Sequence, residues 1–253
     1  MEMKKTNGII ILTVLMLALL PSLAFAVACG DTIMSDTTLT SSLNCPNKGL
    51  IMGADNIVLD CAGNAIYYAS AASGYGVDAS NRNNVTIKNC VFYMGPNLAN
   101  SYGVYFSNTR NSAILNNTLT TNYGVQLILL DSGSNNNDIK NNRISGQGAG
   151  IWLLHSQSYN RIESNQINAS GEGIRIQDAA NYNNIISNDI RVSGQGAKGI
   201  AVLYQPSYNN ISSNNITGTS STGSIGIWFY YNGQPNYNTI SGIRYRTLKE
   251  GSH

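Results

Sequence analysis

His155, Glu172, Arg175 and Asp178 are the side chains of this chain most able to do chemistry. An imidazole beside a carboxylate can act as a general base, so His155 or Asp178 is a candidate for proton abstraction. Arg175 can grip a carboxylate through two parallel hydrogen bonds, as a uronic acid would require. Glu172 and Asp178 are the one close pair of acids worth testing for glycoside hydrolysis, which needs two carboxylates about 5–9.5 Å apart. Tyr105, Trp152, Trp228 and Tyr231 are candidates for stacking on sugar rings. The same residues have a plainer reading. Trp152 and Trp228 can pack against loop segments, and His155 with Asp178 can form a single surface hydrogen bond.

These residues fall in columns of a repeat. It is clearest at Tyr159–Ile176, Tyr-Asn-x-Ile-x-x-Asn-x-Ile, a polar spacer, then Gly-Ile-x-Ile. One Asn column runs Asn117, Asn142, Asn165, Asn188 and Asn214, with Asn89 a looser early member. A second runs Asn137, Asn160, Asn183, Asn209 and Asn238, with Tyr159, Tyr182, Tyr208 and Tyr237 each just ahead of it. A glycine column reads Gly76, Gly103, Gly124, Gly150, Gly173, Gly199 and Gly226. Two places on stand Asp78, Tyr105, Gln126, Trp152, Arg175, Ala201 and Trp228. Five places on stand Asn81, Asn108, Leu129, His155, Asp178, Tyr204 and Tyr231. This alignment predicts Trp152 beside Arg175, and His155 beside Asp178, on adjacent turns.

Intervals of about 21–27 residues belong to a solenoid. Leucine-rich repeats need an apolar residue five before the ladder Asn, where this chain has Asn137, Asn160, Asn183 and Asn209. A left-handed β-helix needs a fixed hexapeptide, which the unequal intervals exclude. No window after the leader keeps a 3.6-residue period, so helical repeats are excluded too. What remains is all-β, a right-handed parallel β-helix of about seven to eight turns and roughly 35 Å, with Ile, Val and Leu inward. Stacked Asn side chains would hydrogen-bond along the axis, and Asn suits left-handed bends. The division expected is 29–54 as a cap, 55–243 as repeats and 244–253 as a tail. The last turn, with no evident cap, leaves end-to-end association open.

Composition supports an exported, folded chain. Only 11% of residues are charged, and about 35 are Asn. The formal charge of +2 offers no footprint for nucleic acid. Residues 1–28 read as a signal peptide: Lys4 and Lys5, the apolar run Ile9–Leu20, then Ala24-Phe25-Ala26. An uncleaved anchor, or lipidation at Cys29, is the alternative. The four cysteines, Cys29, Cys45, Cys61 and Cys90, read as a disulfide framework with three possible pairings. Nearness in sequence favours Cys29–Cys45, and equivalent repeat positions favour Cys61–Cys90. No Cys pair has metal-ligand spacing, so no metal site is expected.

The repeats, with the opening CGDTIMSDTTLTSSLNC, NIVLDCAGNAI and NNVTIKNC, resemble those of the secreted right-handed β-helix superfamily that includes NosD-type periplasmic proteins and CASH domains. The resemblance covers Cys29 to about Ile243. It implies the fold and a carbohydrate setting, but this architecture hosts lyases, hydrolases, epimerases, adhesins and structural modules. Its enzymes carry acidic calcium clusters, NTD/DD/GHG/RIK sets or a DPHE stretch, and here only Arg175-Ile176-Gln177 echoes any of them. The copper handling of NosD-type proteins would draw on Met34, Met52, Met94, His155 and His253, no two of which share a column. No cofactor is expected. The reading is therefore an exported non-catalytic module that binds an extracellular polysaccharide or surface glycan, or serves adhesion or the envelope. The alternative is a lyase, epimerase or hydrolase acting on an acidic glycan. Sequons at Asn84, Asn116, Asn168, Asn210 and Asn215 are expected by chance in so Asn-rich a chain.

Overall fold

The computed structural model describes residues 26–96, 99–220, 223–231 and 237–248. The charged and apolar parts of the leader lie outside the described residues. Every strand belongs to one of three parallel sheets of nine strands each, and they form a solenoid of about eight turns with no helix among the described residues. Each turn gives one strand to each sheet, so residues one repeat apart become lateral neighbours.

The short strands explain why this sequence winds rather than pairs locally. In the second sheet Thr86–Lys88, Asp138–Lys140 and Arg161–Glu163 each put one isoleucine between two polar residues. A period of two sends that isoleucine inward and its neighbours out. Ile87, Ile114, Ile139 and Ile162 stack in register and are fully buried. In the third sheet Phe92, Leu119, Ile144, Ile167, Ile190 and Ile216 do the same. The first sheet adds the inward pairs Ile151/Leu153 and Ile174/Ile176.

Both Asn columns are buried ladders at the corners of the coil. From Asn117 and Asn137 onward, each ladder side chain accepts from the backbone N–H at the same place one turn earlier: Asn117 from Cys90, Asn137 from Ser112, and Asn165 from Asn142, each at 2.9 Å. The left-handed bend falls on the residue before it: Asn116, Asn141, Ser164, Ser187 and Ser213 have φ of 54–57°. That bend turns the next side chain inward, so the ladder Asn is an interior bonding group and its predecessor makes the corner. At the other corner the predecessors are Tyr159, Tyr182 and Tyr208, at φ 57–60°. Their rings stack with Tyr237 at centroid spacings of 5.3, 4.9 and 5.0 Å.

Cys29–Cys45 and Cys61–Cys90 are the two disulfides. The first closes the leading segment and the second joins successive turns, each shrinking the unfolded ensemble by about 3–4 kcal/mol on loop-entropy grounds. The first four strands fall within the segment read as a cap. At the trailing end, Arg244–Thr247 lies in the segment read as a tail and pairs with Asn215–Gly218 as a full strand. Ile240 and Tyr245, one turn past the buried Ile211 and Ile216, are 45% and 43% exposed there.

The second sheet's outward charges neutralise one another. Lys88 meets Asp60 at 3.3 Å, Lys140 meets Asp138 at 2.9 Å, and Arg161 Nε donates to Glu163 at 2.6 Å. The Arg161 hydrogen bond holds the Glu163 carboxyl below its ordinary value.

Candidate functional site

The first sheet carries the residues singled out from the sequence. Its strands run through Tyr102–Ser107, Ile128–Asp131, Ile151–Leu153, Glu172–Gln177, Lys198–Leu203 and Ile225–Tyr230. Their register sets Tyr105, Leu129, Trp152, Arg175, Ala201 and Trp228 in one outward row.

Trp152 and Arg175 meet as expected, with the guanidinium carbon 4.8 Å from the ring centroid. Arg175 also lies 3.4 Å from Glu172, and Glu172 lies 3.9 Å from Lys198 of the next turn. The Lys198 ammonium in turn sits 4.6 Å over the Trp228 ring. The result is one chain of contacts, Trp152–Arg175–Glu172–Lys198–Trp228, each cation packed against an indole and partly exposed. Lys198 escaped the sequence reading because it stands outside the column scanned.

Tyr105 lies two strands from Trp152, in a cluster with Tyr75 and Tyr102 at centroid distances of 4.6–5.6 Å. Burial pushes all three phenols above their ordinary value. Tyr231 departs from the expected groove. Its ring lies parallel to Phe229 at 5.7 Å, on the core side, and its hydroxyl accepts from Asn238 at 3.0 Å. The outward aromatic of that strand end is Tyr230, which tilts against Trp228 at 5.8 Å and meets Tyr204 edge-on at 5.5 Å.

His155 stands between two carboxylates. Its Nδ1 is 2.8 Å from Asp131 Oδ1 and its Nε2 is 3.8 Å from Asp178 Oδ2. Asp178 also accepts from Gln177 Nε2 at 2.7 Å. Glu172 is held by Arg175 and Lys198, so the two acids paired in the sequence reading serve different partners. The Asp131 contact engages Nδ1, which leaves Nε2 as the ring nitrogen facing Asp178 and solvent.

Asp131 was missed because it stands four places after the glycine column, between the two columns scanned, and a slip of register displaced its turn as well. Strand pairing puts Val104 opposite Ile128, so Leu127 and not Gly124 occupies the glycine column. Leu129 therefore replaces Gln126 in the Trp152 row, and Ser132 replaces Leu129 in the His155 row. A Cβ on Gly124 would meet nothing within 4 Å, whereas one on Gly103, Gly150, Gly173 or Gly199 would lie under 3.0 Å from a neighbour. Gly124-Val-Gln-Leu is a local copy of the real motif inside a longer connection. Counting five back from the ladder Asn137 gives Ser132 and the right register.

A family model described as a right-handed β-helix region matches residues 53–216 and 126–250. No curated protein sequence matches the chain. Among solved structures it is similar to a glycoside hydrolase at 12% identity and a TM-score of 0.53, over 78% of this chain and 38% of that one. It is also similar to a tailspike protein of E. coli bacteriophage HK620 in complex with a hexasaccharide, at 9% identity and a TM-score of 0.43, over 87% and 56%. A third is the A-module of a mannuronan C-5 epimerase of Azotobacter vinelandii, at 11% identity and a TM-score of 0.29, over 89% and 90%. The chain thus spans well under two thirds of the first two. At these identities the likeness concerns the fold alone.

Proposed function

The chain belongs to the right-handed β-helix family, and from that premise we propose that it is a non-catalytic module that binds an extracellular polysaccharide or surface glycan. The observation that carries this reading is the outward row of the first sheet. Tyr105, Trp152, Arg175 and Trp228 stand in one register along the axis of a rigid rod. Steps of about 4.8 Å let a linear polymer meet these groups in succession. The two disulfides suit an oxidising compartment, and export to the cell surface, the periplasm or the medium is part of the proposal. So is a place among the NosD-type or CASH members of the family.

Trp152→Ala combined with Trp228→Ala tests it. Glycan-array binding by the parent chain should fall about tenfold or more in the double variant, since interface aromatics carry a disproportionate share of contact energy. Equal binding by a double variant that keeps its circular dichroism and melting behaviour would remove the first sheet as the glycan site. A second reading is favoured by the Asp131–His155–Asp178 arrangement. With Nδ1 engaged by Asp131, His155 could use Nε2 as a base on an acidic glycan, in a lyase, epimerase or hydrolase.

A further inference from the structure

The three faces of the rod handle charge differently. The second sheet pairs its acids and bases off, and the first ties Arg175 and Lys198 to Glu172 and two indoles. The third sheet does neither. Its strands Thr118–Thr120, Arg143–Gly146, Gln166–Ala169 and Asp189–Val192 set buried residues between more exposed ones, Asn215–Gly218 is buried from Ile216 on, and Arg244–Thr247 is exposed throughout. One outward row reads Thr120, Ser145, Asn168, Arg191, Thr217 and Arg246. The row beside it reads Arg143, Gln166, Asp189, Asn215 and Arg244.

Those rows hold four arginines and one carboxylate. Arg143 donates to Gln166 at 3.0 Å, and Asp189 accepts from Asn215 at 2.8 Å. Among the described residues, Arg191 and Arg246 are exposed and have no ion pair. The face is concave. A hollow of about 380 Å³ is lined by Asp189, Arg191, Asn215, Thr217 and Arg246 among others. It shares Asn168 and Arg191 with a second hollow of about 330 Å³ that reaches back to Thr121 and Asn122. The two merge into one groove along the axis, crossing six strands over about 24 Å. Asn215 Oδ1 is buried at this groove without a hydrogen-bond partner.

We propose that this groove on the third sheet is a second binding site, for an acidic polysaccharide lying along the rod. Arg191 and Arg246 take sugar carboxylates, a contact for which the guanidinium fork is well matched. Ser145 and Asn168, which precede Arg191 in the row, meet sugar hydroxyls, while Thr217 spaces the two arginines. Nucleic acid fits less well. The groove holds Asp189 at its centre, and the whole chain carries a formal charge of only +2. The site stands apart from the aromatic row of the first sheet and can succeed or fail without it.

Affinity electrophoresis and calorimetry at low ionic strength would test the site, using polygalacturonate, alginate and hyaluronate, with neutral dextran as control. The protein should bind at least one acidic polymer and leave dextran free. Arg191→Gln combined with Arg246→Gln should weaken that binding at least about tenfold. Asp189→Asn, which removes the one carboxylate, should tighten it by about twofold. In the Trp152→Ala/Trp228→Ala background, which removes the first-sheet site, the arginine pair should still weaken binding at least about tenfold, so the two sites read out separately. The proposal is overturned if none of the three polymers binds, if the arginine variant binds as the parent does, or if the arginine pair has no effect in the tryptophan background. An oligonucleotide bound as tightly, with the same arginine dependence, would overturn it as well.

Discussion

Asn165→Ala should lower stability to chemical denaturation by about 3 kcal/mol, more than most polar substitutions. Asn165 Oδ1 accepts from the Asn142 backbone N–H at 2.9 Å and from Asn142 Nδ2 at 3.0 Å. Its Nδ2 donates to the Ile139 carbonyl at 2.8 Å and to Asn188 Oδ1 at 3.0 Å. The residue is 1% exposed, so water cannot replace these partners. Removing the amide leaves the Asn142 N–H without an acceptor in the corner of the coil, at a cost of about 1–3 kcal/mol before the other lost bonds are counted. The neighbours above and below are polarised by the same column, which adds to the loss. Asn184→Ala, on the outward face of the second sheet, should cost less than about 1 kcal/mol. Equal losses from the two would show that the ladder contributes no more than a surface amide.

Gly173→Ala should cost a similar amount for the opposite reason, overfilling. A Cβ there would lie 2.4 Å from Ile190 Cγ2 and 2.5 Å from the Gly199 carbonyl oxygen. The isoleucine could turn aside. The carbonyl belongs to the next turn and cannot move without disturbing its strand. A loss of about 3 kcal/mol is expected, at the upper end for one added methyl in a packed interior. Gly124→Ala should change stability by no more than about 0.5–1 kcal/mol, and a gain is equally consistent with an ordinary loop glycine. Thermal or denaturant unfolding of the two variants side by side tests the register directly. If Gly124→Ala proved the more damaging, the pairing of Val104 with Ile128 would be wrong.

Those two variants also mark what the sequence made legible. Ile162, Asn165, Ile167, Ile174 and Ile176 repeat because each occupies a stacked interior position, and stacking demands the same residue type one turn later. The repeating letters therefore disclose architecture. They also favoured the two disulfides, since Cys61 and Cys90 occupy comparable points of adjacent repeats. The outward letters have no such constraint, and legibility fails there in three ways. Gly124-Val-Gln-Leu imitates the glycine strand locally, so counting forward from it displaced a whole turn, and Asp131 lay between the columns searched. Tyr231 shares a column with Tyr204, yet at the trailing end its ring packs beside Phe229. The arginines of the third sheet were overlooked because only the row following the glycines was searched. Arg191 and Arg246 belong to strands opened by Asp189 and Arg244, beyond the ladder Asn. A column laid out three places after Asn188, and after Ile243 one turn beyond Asn214, would have found them.

The central claim is that the rod holds a polysaccharide without altering it. The most direct measurement is to incubate the protein with an acidic polysaccharide it retains, then determine the polymer's chain length, unsaturation and uronate composition. The polymer should be recovered unchanged while remaining bound. Shortened, unsaturated or epimerised product that disappears with His155→Ala or Asp131→Asn would contradict it, and would make the imidazole between Asp131 and Asp178 the centre of an enzyme.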